Sequence, residues 1–93
     1  MSTPTENIVR VISTARDEAR KVLTALEQQG HPETARSSSL YLALVSMRKR
    51  LTKEGAPLPA LVPELEQLVT LCEGKLARIK PELEDALKLA RGG

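Results

Sequence analysis

The chain has 93 residues, with 14 basic against 12 acidic side chains and a net charge of +2. That length suits one domain of modest stability, and that balance makes no strong field for a general polyanion. At 41% hydrophobic and 28% charged the chain reads as ordered, and its core must be aliphatic because Tyr41 is the only aromatic residue.

One cysteine excludes an internal disulfide. The polar start, Met1 to Asn7, carries neither the basic region nor the apolar stretch of a signal peptide. The longest apolar run, Leu40 to Val45, is far short of the roughly 18 residues of a spanning helix. The expectation is a cytoplasmic protein with no membrane role.

The first helix opens at Thr3-Pro4-Thr5-Glu6. Thr3 can accept from the amide of Glu6 while Glu6 reaches back, and Pro4 stands where no amide hydrogen is required. Ile8, Ile12, Ala15, Ala19, Val22 and Leu26 step by four and three, which puts them on one stripe. The helix should end at Gln29, with Gly30 free to take a left-handed cap.

Pro32 presets the first turn of a second helix over about 32–54, with Leu40, Leu44, Met47 and Leu51 as its inner stripe. Gly55 stops it, and Ala56-Pro57-Leu58-Pro59 forbids regular helix. A third helix is expected over about 60–91. Its seam is Leu65, Val69, Cys72, Leu76, Ile79, Leu83, Ala86 and Ala90, which keeps phase across Pro81. Pro81 lies opposite that seam, so a helix kinked there, with proline on the outer side, is favoured over a break that restarts a short fourth helix.

The fold expected is therefore all-α: one domain, 1–93, forming an antiparallel three-helix bundle whose long third helix kinks at Pro81. Pro-Glu-Leu-Glu occurs at residues 63–66 and again at 81–84, on the same helix face if the helix is continuous. First-turn chemistry explains this echo better than a duplicated docking face does.

The run Leu40-Tyr41-Leu42-Ala43-Leu44-Val45 is apolar around the whole helix. Leu42 points nearly opposite the inner stripe, and Val45 lies well off it. Leu71 and Leu89 lie on a flank of the third helix in the same way. These four residues are the candidate partner-binding face, for a protein partner or a second copy of the chain.

Arg48, Lys49, Arg50 and Lys53 form the densest basic cluster. Lys49, Arg50 and Lys53 are the candidate phosphate contacts if the protein meets nucleic acid. Favourable charges at a helix C-terminus explain the cluster more simply.

His31 sits in a turn without a specified orienting partner, and Cys72 occupies a seam position as a small hydrophobe. One Cys and one His are too few for a protein-only zinc site. Ser37-Ser38-Ser39 reads as small residues that let helices approach. The diglycine at 92–93 reads as a helix end and not as a conjugation tail. The functional expectation is a non-catalytic interaction or assembly module that acts through an exposed apolar helix face and self-associates into a homo-oligomer, without cofactor or small-molecule substrate. A small nucleic-acid-associated regulatory protein is the alternative.

Overall fold

Thr3 begins the first helix as its pattern predicts, its hydroxyl accepting the Glu6 N–H at 3.1 Å. In the computed structural model, which describes residues 3–92, helix α1 spans Pro4–Gln29. Gly30 (φ 63°) ends it: its N–H reaches the Glu27 carbonyl and the His31 N–H reaches that of Leu26, the paired bonds of a Schellman cap. Met1, Ser2 and Gly93, on which the polar-start and diglycine readings partly rest, lie outside the described residues.

Helix α2 spans Thr34–Lys53, two residues later than Pro32 suggested. The connecting turn makes the difference. The Thr34 hydroxyl donates to the His31 carbonyl at 2.7 Å, and the Glu33 N–H donates to His31 Nδ1 at 3.1 Å. These bonds hold residues 31–33 outside the helix.

The third predicted helix is not one helix. A 3-10 turn, Leu58–Leu61, leads into α3, Val62–Thr70. The chain then tightens, with Leu71 N–H to Leu68 O and Cys72 N–H to Val69 O, both at 3.1 Å. Glu73 is extended (φ −126°, ψ 161°), and Gly74 takes φ +58°. A six-residue 3-10 helix, Gly74–Ile79, precedes α4, Lys80–Ala90.

The break therefore falls at Leu71–Gly74 and not at Pro81. Pro81 stands in the first turn of α4, where its missing N–H forfeits no bond, and the Ala77 carbonyl is taken by the Lys80 N–H. Pro63 and Pro81 both occupy first turns, with Glu64 and Glu82 as first-turn acids, so the Pro-Glu-Leu-Glu echo marks two helix starts.

Four α-helices and no strand occur among the described residues. Helix α1 is the spine, 26 residues or about 39 Å long, close to the 41 Å long axis of the molecule. It packs along α2, α4 and the 74–79 segment, while α3 lies on α4. Arg48 of α2 donates to Ser13 of α1 at 2.9 Å, which sets the antiparallel register of that pair. Glu66 of α3 meets Arg91 just beyond α4 at 3.4 Å, so α3 and α4 are also antiparallel.

The seam survives the break. Leu65, Cys72, Leu76, Ile79, Leu83, Ala86 and Ala90 are all buried, while Val69 is half-buried and Leu68 is buried beside it. Leu76 and Ile79 sit three apart in a 3-10 helix, where that spacing eclipses side chains on one side. A step of three thus serves both kinds of helix. All six residues of the α1 seam are buried as well.

Candidate interaction face

Helix α2 buries Leu40, Leu44, Met47 and Leu51 against the core. Its apolar run continues around the helix, so the opposite side cannot be covered by α1. Leu42 is 60% exposed and Val45 38%, and they are the exposed large hydrophobic residues of the described chain. Tyr41 and Ala43 are half-buried and pack on the core from the two flanks.

The structure separates the four candidate residues. Leu71 and Leu89 are half-buried and pack against the core cluster on the α3–α4 side. Their shared direction depended on a continuous α-helix between them, and the turn at Leu71 removes it. The candidate face is therefore Leu42 and Val45 alone.

The exposed positions around these two are small or polar: Ala35, Ser39 and Ser46. No charged residue occurs from Ser37 to Met47. A surface helix ordinarily carries charge on its outer face. Here charge enters only at the end, with Lys49 and Lys53 exposed.

Over its whole length α2 has five basic residues and no acidic one. Three of the five are engaged. Arg36 pairs with Glu33 and reaches the Glu73 carbonyl at 3.4 Å. Arg48 holds Ser13, and Arg50 pairs with Glu64 of α3 at 2.5 Å. The predicted basic trio thus divides: Lys49 and Lys53 lie open, and Arg50 is neutralised as it ties α2 to α3.

In the comparisons with known proteins, no family model, no curated protein and no solved structure matches the chain. The reading therefore rests on the residues themselves.

His31 uses Nδ1 to accept the Glu33 N–H, which leaves Nε2 to carry the proton of the neutral ring. Its Nδ1 also lies 3.6 Å from the Glu33 carboxylate. The imidazole thereby shapes the α1–α2 turn. Cys72 is 3% exposed, and its thiol donates to the Leu68 carbonyl at 3.4 Å. Burial pushes that thiol up from 9.0 to about 11; Lys80 works against the rise and Glu84 with it. The thiolate that nucleophilic chemistry needs is disfavoured there.

Among the described residues no three His, Cys, Asp or Glu side chains converge as a metal site would require. No helix of these residues is long and apolar enough to cross a membrane. A shallow groove of about 410 Å³ lies between the start of α1 and the end of α2, lined by Thr5, Glu6, Val9, Arg10, Leu51 and Thr52. A smaller one of about 260 Å³ lies where Lys75 and Arg78 approach α1. Neither groove contains His31 or Cys72.

Sequence reasoning missed the Glu33 junction. The Glu33 carboxylate takes Arg36 on one oxygen and the Lys75 N–H, at 3.5 Å, on the other. It thereby joins the α1–α2 turn to the α3–α4 connection. The signal present was Glu73-Gly74, a helix-stopping pair that the heptad pattern overrode.

Proposed function

We propose that the protein is a non-catalytic interaction or assembly module that engages a protein surface through the outer face of α2. The exposure of Leu42, with Val45 beside it on an uncharged stretch of helix, supports this reading. Helix-face packing of this kind needs no cofactor. Its affinity comes from the apolar centre, and its specificity and orientation from the lysines at the rim.

The experiment is affinity capture with wild type and Leu42→Glu side by side, followed by reconstitution with the purified component and a mass measurement of the chain alone. A partner, foreign or self, that binds wild type and loses the variant is the expected result. Identical behaviour of both chains in every assay removes the reading.

The nucleic-acid alternative rests on Lys49 and Lys53, both exposed on the same helix. Two phosphate contacts would give a salt slope of only about −2 in log affinity against log salt. Retention on DNA or RNA that falls with Lys49→Ala and Lys53→Ala, and ignores Leu42→Glu, would favour it.

A further inference from the structure

Nδ1 of His31 faces two groups of one residue. The Glu33 N–H donates to it at 3.1 Å, and Glu33 Oε2 lies 3.6 Å away. Only the first contact is a bond while the ring is neutral, because Nδ1 then offers a lone pair and no hydrogen. A proton taken from solvent reverses both relationships. The new Nδ1–H opposes the Glu33 N–H and finds the carboxylate as its acceptor, in a charge-assisted bond of about 2.7–2.9 Å.

The same carboxylate leads away from the turn. Its Oε2 accepts the Lys75 N–H at 3.5 Å, a long bond, while Oε1 takes Arg36. It also fills the space beside Gly74 that a Cβ there would enter. A change in the position of Glu33 is therefore felt at residues 74 and 75, in a different part of the chain. The backbone of the turn is held on both sides. The His31 N–H reaches the Leu26 carbonyl at 3.0 Å, and the His31 carbonyl receives the Thr34 N–H at 3.1 Å and its hydroxyl at 2.7 Å. The half-buried ring and carboxylate are left to respond.

We infer that His31 and Glu33 form a pH-operated clasp between the α1–α2 turn and the α3–α4 connection. The neutral ring accepts the Glu33 amide and leaves the carboxylate to Arg36 and Lys75. The protonated ring gives up the amide and takes the carboxylate as its partner. An imidazole makes that change of charge within about pH 5–8, and His31 is the only histidine. The charged groups of the junction are Glu33 of the turn, Arg36 of α2, Glu73 and Lys75 of the connection, and Glu27 at the end of α1. Among the described residues, Glu33 supplies the one carboxylate within ion-pair range of the ring. The clasp stands whether or not the outer face of α2 binds a partner.

The test is a titration of the full chain by two-dimensional ¹H–¹⁵N NMR over about pH 5–8, following the ring nitrogens beside the backbone amides. At the alkaline end the ring should carry its proton on Nε2. As the ring protonates, the amide resonances of Glu33, Gly74 and Lys75 should shift with the midpoint of the ring. Protection of the Glu33 N–H from exchange, corrected for the intrinsic pH dependence, should fall about twofold to tenfold, the loss of one net hydrogen bond. His31→Gln should hold all three amides still. Glu33→Ala should keep the response of the amide at position 33 and abolish that of Gly74 and Lys75. Circular dichroism checks that both variants keep their helices.

Wild-type Gly74 and Lys75 amides that ignore the ring overturn the inference, whatever the variants do. So does a neutral ring protonated on Nδ1, since the Glu33 amide then has no acceptor there. Shifts at Gly74 and Lys75 that persist in either variant overturn it as well, because they then arise from another group.

Discussion

The Glu33 carboxylate lies over Gly74, in the space that a Cβ at position 74 would enter. Gly74 also holds φ +58°, a conformation that costs an L side chain about 1–2 kcal/mol. Gly74→Ala should therefore lower unfolding stability by about 2 kcal/mol, read as a lower urea midpoint with an unchanged slope. Part of that loss comes from displacing Glu33 from the Lys75 N–H. The cost of Gly74→Ala should accordingly be smaller in a Glu33→Ala background, and additive losses would show that the two do not touch.

Pro81→Ala separates the observed break from a kinked helix. In a continuous helix, proline at 81 would forfeit a bond and crowd the preceding turn, so alanine would stabilise by about 3 kcal/mol. In the first turn of α4, Pro81 forfeits nothing. Alanine there only loosens the unfolded chain, so Pro81→Ala should destabilise by about 0.5–1 kcal/mol. Chemical unfolding of the two proteins gives the sign directly.

Burial was legible in the sequence to a depth that backbone conformation was not. Steps of four and three identified the buried residues of α1 and nearly all of those from Leu65 to Ala90, because burial depends on which side chains share a stripe. The same steps could not show that the stripe was cut at Leu71. A 3-10 segment such as Gly74–Ile79 preserves a step of three, and the bonds that fix the cut come from Glu33 and Arg36, some 40 residues away in sequence. The exposed Leu42 was readable from helical angle alone, whereas Leu71 and Leu89 were misplaced with the helix that carried them. Arg50 was misread because its partner, Glu64, lies beyond a proline-rich connection.

Ser37 predicts a substitution in the favourable direction. It is 0% exposed, and its hydroxyl has no hydrogen-bond partner among the described residues. Burying a hydroxyl without a partner opposes folding, so Ser37→Ala should stabilise the protein by about 1 kcal/mol and raise the thermal midpoint by several degrees. Ser37→Leu adds volume to a filled position and should destabilise by about 1–3 kcal/mol. Together the two variants distinguish a site chosen for smallness from one that needs the hydroxyl.

Cys72 makes stability depend on alkaline pH. Its thiol titrates near 9.0 in an ordinary setting and at about 11 in the folded chain, chiefly because burial disfavours the thiolate. Between those values the unfolded chain has released the proton that the folded chain retains. The folded state then binds more protons, so unfolding free energy falls as pH rises. The contribution is fully present below pH 9 and is lost as pH climbs toward 11, for a total of about 2–3 kcal/mol. Other groups titrate in that window, so the measurement is a difference: urea unfolding of wild type and Cys72→Ala at pH 8 and again near pH 10.5. The gap between the two proteins should narrow at the higher pH as the wild type loses its advantage, and a constant gap would mean that the thiol is not held protonated by the fold.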